Sequence, residues 1–503
     1  MNTKTNVLLI TSDQQHWNTI GKFNPEIKTP HLDRLCSQGT CFKNFYTVNP
    51  TCTPTRATLL TGTYPSQHGA YSLGTKLLED KLLIGDVFKQ NGYRTALLGK
   101  AHFQPLKSTA EYKSIESIPL FQDLEFWKNF HGPFYGFDHI ELARGHADEQ
   151  WIGQHYLIWL IENGCHNWKD YFREPIGNKK ISEGKWEIPE KFHYNTWLAE
   201  RTNSLLKEFT AQKTPFYLWT SFFDPHPPYL VPSPYDTMYS PETLTVPEIV
   251  PNEHKNNPRH FQLTQEQNPD FSAYREPEGS VMHGFHCHLK DKTKRAENLA
   301  TYYGMISLLD KYIGIILNQL DVLGIADNTL VVFTTDHGHF MGQHGLIAKG
   351  PFHYDDVIKI PAIARLPGKI PANKVSNNLM SIVDLPSTFL SAAGIKPPRC
   401  MTGLNLLPEW MGEIDKTRSH VIIENRHQPT TLHIKTYINE QYKFTIYWNQ
   451  EYGELFDLVK DPGELNNLWN DDNFTKVKCN LYKELLFAEM IKEPLPMPRI
   501  ANA

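Results

Sequence analysis

Four short apolar runs along the chain each lead directly into polar side chains. The runs are residues 6–12, 94–99, 214–223 and 329–335. Their length and composition are typical of strands buried on both faces. The polar residues that follow them are Asp13, Lys100 with His102, His226, and Asp336 with His337. Because parallel strands bring their carboxyl ends to one edge of a sheet, the pattern predicts an α/β fold with a polar site at that edge. Taken alone, an aspartate such as Asp13 more often caps the start of a helix.

The remaining pattern predicts helices and a second, smaller sheet. Helical spacing without proline predicts a long helix over residues 296–320, and a proline near the first turn predicts a shorter one from residues 29–35. Strand-like segments between residues 419 and 458 predict a small antiparallel sheet that precedes a final helix. Since 503 residues exceed what one hydrophobic core usually organises, we expect a large α/β domain over residues 1–410 and an α+β subdomain over residues 411–503.

Two stretches show no clear periodicity. Residues 103–200 alternate between aromatic and polar segments, and residues 236–290 are rich in proline, asparagine and histidine. We interpret both as loops that shape the mouth of the site, and we assign no function to the histidines of the first. For His283, His286 and His288 in the second, a polar loop is a better interpretation than a metal site.

Composition and charge exclude several classes of partner. The formal net charge of -5 argues against nonspecific nucleic-acid binding, which needs a basic face. No stretch approaches the ~20 apolar residues of a membrane-spanning helix, so we expect no membrane partner. The seven cysteines are odd in number and scattered, which is typical of reduced thiols. Because the first residues show no secretory signal pattern, the expected location is the cytoplasm. A periplasmic or secreted protein would need a leader that this sequence does not include.

The most distinctive segment of the chain lies between residues 47 and 69. At its centre stands Cys52-Thr53-Pro54-Thr55-Arg56, followed by Leu60-Thr61-Gly62. Prolines at positions 50 and 54 predict a rigid turn that leads into a helix. A thiol at a helix N-terminus, four residues before an arginine, lies in a positive field that lowers its pKa and favours oxyanions. For the pentapeptide alone, a buried cysteine beside a surface arginine is the plain alternative.

These motifs resemble those of the type I sulfatases, which belong to the alkaline-phosphatase superfamily. The pentapeptide is similar to the family signature, with Thr55 where serine is commonest. Further similar segments are Gly99-Lys100-Ala101-His102, Pro225-His226-Pro227-Pro228-Tyr229, and Thr335-Asp336-His337-Gly338 with Gly342, His344, Gly345 and Lys349. The resemblance implies an alkaline-phosphatase-like large mixed sheet between helices. It also implies that a formylglycine-generating enzyme oxidises Cys52 to Cα-formylglycine, an aldehyde whose hydrate is the nucleophile.

The same resemblance implies a role for each matching residue. The implied metal ligands are Asp13, Gln14, residue 52, Asp336 and His337. The implied catalytic residues are Cys52, Arg56, Lys100, His102, His226 and Lys349, and His344 would bind substrate. One divalent cation is expected, with Ca²⁺ as the first choice. Since the imidazole of His337 replaces the asparagine of arylsulfatases, Mn²⁺ and Zn²⁺ remain open as well.

The implied activity is hydrolysis of a sulfate monoester, which we expect to be that of a sulfated saccharide. A phosphonate monoester or phosphodiester hydrolase of the same superfamily is the alternative, because Gln14 and His337 resemble that branch and the choline sulfatases. A third interpretation is a noncatalytic binding protein in which Cys52 stays unconverted.

Overall fold

The computed structural model describes residues 4–180, 184–274, 291–428 and 432–501. Its strands are β1 (Asn6–Ser12), β2 (Thr40–Tyr46), β3 (Arg94–Lys100), β4 (His139–Ala143), β5 (Gly184–Lys185), β6 (Phe216–Ser221), β7 (Leu230–Val231), β8 (Thr329–Thr335), β9 (Phe340–Met341), β10 (Ile347–Ala348), β11 (Ala362–Arg365), β12 (Lys374–Ser381), β13 (Val421–Gln428), β14 (Leu432–Ile438), β15 (Tyr442–Tyr447) and β16 (Gly453–Asp457). Its α-helices are α1 (Pro30–Gln38), α2 (Cys52–Thr61), α3 (Pro65–His68), α4 (Ile84–Gln90), α5 (Leu124–Asn129), α6 (Gln154–Glu162), α7 (Tyr194–Ala211), α8 (Arg259–Thr264), α9 (Lys292–Val322), α10 (Asp355–Ile358), α11 (Leu385–Ala392), α12 (Leu407–Met411) and α13 (Thr475–Ile491).

The four predicted strands lie side by side in the main sheet. Its order is β12-β2-β11-β8-β1-β6-β3-β4. Strands β8, β1, β6 and β3 are parallel to one another, and Thr11 of β1 lies opposite both Ser221 of β6 and Thr334 of β8. Their carboxyl ends therefore meet at one edge, as predicted. The sheet is mixed because β11 runs antiparallel to both β2 and β8.

Helices cover both faces of this sheet. Alternate residues of β1 point to opposite faces, so Val7 and Leu9 join one core cluster while Leu8 and Ile10 join another. The first cluster includes apolar side chains of α2, α4 and α11, and the second includes those of α1, α7 and α9. The predicted sheet between helices is thus confirmed. Among the described residues, no helix combines the length and apolarity needed to cross a membrane.

A small antiparallel sheet closes the chain, as the sequence predicts. Strands β13 to β16 pair in order, each antiparallel to the next. Leu481, Leu485 and Ala488 of α13 pack into the same core as Phe444 of β15. The sheet is tied to the segment before Cys52, since Glu424 donates its backbone N–H to Val48 O at 2.8 Å. The boundary at residue 410 stays a prediction.

The aperiodic stretches contain more structure than predicted. Residues 103–200 supply β4, an edge strand of the main sheet, together with α5, α6 and the start of α7. Residues 236–274 contain α8 and short 3₁₀ turns. The rest of the second stretch, with His283, His286 and His288, lies outside the described residues, as does Cys287. Within the described residues the cysteines are free, in agreement with the expected reduced thiols.

Candidate active site

The side chains at the strand ends surround the sulfur of Cys52, which is the first residue of α2. The Sγ atom lies 3.2 Å from His337 Nε2 and 3.2 Å from Lys349 Nζ. Lys100 Nζ and Asp13 Oδ1 follow at 3.8 and 3.9 Å. The sheet edge and the start of one helix therefore hold these predicted residues in a single buried cluster.

Arg56 joins the two carboxylates of this cluster. Its Nε donates to Asp336 Oδ2 at 2.9 Å and its Nη2 lies 3.4 Å from Asp13 Oδ2. Its Nη1 donates to Lys100 O at 2.9 Å and to Ser221 Oγ at 2.7 Å. The plain alternative of a surface arginine is wrong, because Arg56 is 0% exposed.

Thr55, in the first turn of α2, supplies a hydroxyl that bonds to the segment before the helix. Thr55 Oγ1 donates to Asn49 O at 2.9 Å and lies 2.9 Å from Thr47 Oγ1. Thr47 Oγ1 in turn donates to Asp336 O at 2.7 Å. This network connects the turn that presents Cys52 to the end of β8. It uses only the hydroxyl of residue 55, which threonine provides as well as serine does.

The charges at the centre favour bound anions. Arg56, Lys100 and Lys349 face Asp13 and Asp336, and the ammonium of Lys100 contacts the carboxylate of Asp13. Burial raises the pKa of Cys52, but Lys100 and Lys349 outweigh it and lower the pKa to about 6. Burial likewise raises the pKa of Asp13, yet its cationic neighbours, with Lys100 foremost, hold that pKa well below its usual range. Asp13 is therefore ionised at neutral pH.

The predicted ligand set fits a divalent cation. Ligand atoms of Asp13, Cys52, Asp336 and His337 all lie within 4.8 Å of one another. His337 Nδ1 lies 3.0 Å from Gly338 O, so it carries the proton and leaves the Nε2 lone pair facing the cluster. Gln14 Oε1 is buried and has no hydrogen-bond partner among the described residues, as expected of an amide oxygen held for a cation.

Three predicted histidines occupy different positions around this cluster. His226 Nε2 lies 3.1 Å from Lys349 Nζ. His102 adopts a left-handed backbone conformation with φ 59°, and its ring Nδ1 is buried without a hydrogen-bond partner among the described residues. His344 pairs with the carboxylates of Glu253 and Asp356 rather than with groups of the cluster. His226 therefore contacts the cluster through Lys349, while His344 belongs to a neighbouring ion-pair network.

Sequence reasoning missed two histidines that support the predicted residues. His146 Nε2 lies 2.8 Å from Lys100 Nζ, although its segment was assigned no function. This contact was not predicted, because it forms only when the loop after β4 turns back into the cluster. His339 Nδ1 lies 2.6 Å from Gln14 Nε2, and this contact turns Gln14 Oε1 away from His339. Its position two residues after His337 was the available signal.

Comparison with known proteins identifies the family. The sequence profile of the family described as Sulfatase matches residues 5–395. The chain belongs to the sulfatase family. A second profile, described as the C-terminal part of N-sulphoglucosamine sulphohydrolase, matches residues 342–491 of this sulfatase. The predicted enzyme class, a sulfuric ester hydrolase, is thereby confirmed.

Individual relatives cover almost the whole chain. An arylsulfatase of Clostridium perfringens is 29% identical to this sulfatase over 500 residues, or 97% of this chain and 94% of the relative. An N-acetylglucosamine-6-O-sulfatase of Bacteroides thetaiotaomicron is 24% identical over 517 residues, or 96% of this chain and 86% of the relative. Phosphonate monoester hydrolase from Silicibacter pomeroyi has a TM-score of 0.79 at 22% identity and covers 98% of this chain and 96% of that one. This last likeness confirms the fold alone.

Proposed function

We propose that this sulfatase hydrolyses a sulfate monoester of a saccharide, with a formylglycine derived from Cys52 as the nucleophile. The observation that supports this most is the position of the sulfur of Cys52. Two ammonium groups lie close to it, Lys349 at 3.2 Å and Lys100 at 3.8 Å, beside a metal-competent imidazole. A nucleophile at this position would meet the sulfate in a positive electrostatic field that stabilises the negative charge on the sulfate oxygens. The saccharide is inferred from the relative named an N-acetylglucosamine-6-O-sulfatase.

The proposed nucleophile requires a maturation partner. A formylglycine-generating enzyme would convert Cys52, and the hydrated aldehyde would supply two hydroxyl groups on one carbon. One hydroxyl attacks sulfur and forms a sulfate ester at residue 52. The other then expels the sulfate, so no separate water is needed to hydrolyse that ester.

The chain's own side chains would move the protons and balance the charge. Arg56, Lys100 and Lys349 would offset the charge on the sulfate oxygens as the bond to the alcohol breaks. His226 would protonate the departing alcohol oxygen with a proton that its Nε2 takes up from the ammonium of Lys349, 3.1 Å away. His102 would then take the proton of the remaining hydroxyl as the aldehyde and free sulfate form.

A divalent cation held by Asp13, Gln14, residue 52, Asp336 and His337 would act as a Lewis acid and lower the pKa of the attacking hydroxyl. Calcium is the first choice among the metals, and the single imidazole leaves Mn²⁺ and Zn²⁺ as candidates.

Turnover of three esters tests this proposal against its alternatives. We would compare 4-nitrophenyl sulfate with an aryl phosphonate monoester and an aryl phosphodiester. The protein would first be checked by mass spectrometry for formylglycine at position 52, and Cys52→Ala would serve as control. Preference for the sulfate, lost in the control, is expected and would lead to a screen of sulfated saccharides.

Other outcomes of this comparison would each reject a part of the proposal. Preference for the phosphorus esters would mean that Gln14 and His337 define a phosphonate or phosphodiester hydrolase. An unmodified cysteine with no turnover of any ester would favour the noncatalytic binding protein. Activity on aryl or choline sulfate but on none of the sulfated saccharides would reject the saccharide.

A further inference from the structure

The loop that follows β4 sends one imidazole into the active site. We propose that His146 is a positioning residue for hydrolysis. Glu149 holds the ring of His146 in place, and this ring aims Lys100 at the sulfate and fixes the ring plane of His226. This inference rests on the proposed function, because it assumes the roles given there to Lys100 and His226.

The loop is built rigidly enough for this task. Asp148, between the two residues, is 0% exposed, and it pairs with Arg173 at 2.8 Å and with Lys179 at 3.1 Å. The backbone N–H of Glu149 donates to His146 O at 2.9 Å, which closes a tight turn. Ion pairs from a second segment therefore fix the turn that carries the imidazole.

The hydrogen bonds of His146 fix its tautomer. A lysine ammonium can only donate, so His146 Nε2, 2.8 Å from Lys100 Nζ, must accept. The ring proton then resides on Nδ1, which donates to Glu149 Oε2 at 2.9 Å. The same carboxylate oxygen accepts the backbone N–H of His146 at 3.0 Å. Glu149 thus sets both the position and the tautomer of the ring, and the Nε2 lone pair directs the Lys100 ammonium.

The face of the same ring supports His226. The two imidazoles are stacked, with centroids 3.7 Å apart and planes inclined by 13°. His226 Nδ1 lies 2.5 Å from Pro227 O, so the ring has one edge on the backbone and one face on His146. Removal of His146 would allow His226 to tilt away from the leaving oxygen.

A second metal ion is the competing interpretation of this cluster. Ligand atoms of Asp13, His146 and His226 lie within 4.8 Å of one another. However, Lys100 Nζ bonds both Asp13 and the Nε2 lone pair of His146, and it already provides a positive charge between them. The lone pair that a metal would need is therefore in use.

Two substitutions separate the two contacts of His146. His146→Phe keeps an aromatic ring against His226 but cannot accept from Lys100, whereas His146→Ala loses both contacts. A matched control is His139→Phe, because His139 also pairs with a glutamate, Glu141, at 3.0 Å, but lies at the start of β4. Unfolding temperature and the mass of the residue-52 peptide would show that each variant folds and matures.

Turnover of 4-nitrophenyl sulfate and phenyl sulfate would then be measured, since phenol is a much poorer leaving group. A 1 Å misplacement of a catalytic group lowers kcat on the order of 100-fold. We expect His146→Phe to lower kcat for both esters by one common factor, at least about tenfold. We expect His146→Ala to lose further activity on phenyl sulfate, in the direction seen for His226→Ala, and Glu149→Gln to retain more activity than Glu149→Ala.

The outcomes distinguish this inference from the proposed function. Variants of His146 with the activity of His139→Phe would overturn it, as would equal losses on both esters for His146→Ala when His226→Ala discriminates between them. If His226→Ala itself treats both esters alike, the acid role in the proposed function is wrong. In that case His146→Phe still decides whether His146 positions Lys100. A second equivalent of Zn²⁺ bound by wild type but not by His146→Ala would favour the metal site instead.

Discussion

Replacement of Arg56 by methionine should destabilise the protein far more than loss of an ordinary ion pair. Arg56 and both of its carboxylate partners are buried, with 0% of the Arg56 side chain exposed. The substitution keeps much of the apolar volume but leaves Asp13 and Asp336 with one cation fewer. It also removes the donor to Ser221 Oγ at 2.7 Å.

The expected loss follows from the environment of the pair. Removal of one partner from a buried ion pair lowers the free energy of unfolding by about 3–5 kcal/mol, because the other charge stays buried without compensation. Arg259 gives the matched control, since it also binds a carboxylate, Glu266, at 2.7 Å, but both side chains are exposed, at 57% and 41%. Exposed pairs contribute only about 0–1 kcal/mol, so Arg259→Met should change little.

Chemical unfolding in the presence of EDTA would measure both variants, with the midpoint of the main transition compared at constant slope. Saturation with a divalent cation should reduce the loss in Arg56→Met, since the metal would offset the freed carboxylates. A second change, Asp336→Asn, should restore part of the stability by removing the uncompensated charge. Equal midpoints for Arg56→Met and Arg259→Met, or a further loss in the double variant, would refute the reasoning.

Three further predictions concern pH, metal and charge. Burial disfavours a charged His344, but Asp356 and Glu253 outweigh it and raise its pKa from 6.5 to about 9. The ion pairs of His344 therefore stabilise the fold fully below pH 6.5, and this stabilisation is lost by about pH 9. The free energy of unfolding of the wild type should fall by about 3 kcal/mol over that range, whereas that of His344→Gln should not. His337→Asn should shift the metal bound, measured by mass spectrometry of the intact protein, towards Ca²⁺; an unchanged preference would show that His337 is not a ligand. Lys349→Met should lower kcat on 4-nitrophenyl sulfate on the order of 100-fold, in contrast to Lys369→Met, a control at an exposed lysine. Full activity would remove Lys349 from the mechanism.

The buried strands and the polar site residues at their ends could be predicted because both depend on local patterns. Buried parallel strands read as uninterrupted apolar runs, and polar residues at their ends stand out against them. Residues 6–12 and 329–335 were predicted at the bounds that the structure shows for β1 and β8. The start of α2 at Cys52 was equally local, since prolines mark the turn before it.

The remainder of the site depends on contacts that leave no local pattern. Strand β4 lies at the edge of the sheet in a segment of mixed aromatic and polar residues, so its five residues were not predicted. The stacking of His146 on His226 joins positions 80 residues apart along the chain, and no spacing rule connects them. A lone histidine in such a segment carries no local pattern, so the sequence offers no reason to assign a function to His146.

The aperiodic segment fixes the backbone of His102, a proposed catalytic residue, and so does more than shape the mouth of the site. Glu116 lies within residues 103–200, and its carboxylate accepts the backbone N–H groups of His102 at 3.0 Å and Phe103 at 2.9 Å. Arg144, which directly follows β4, donates to the same carboxylate at 2.6 Å and holds it in place. This buried ion pair maintains the left-handed conformation of His102, which an unsupported histidine would rarely adopt. Exchange of this segment between relatives should therefore alter the chemical step as well as the choice of substrate.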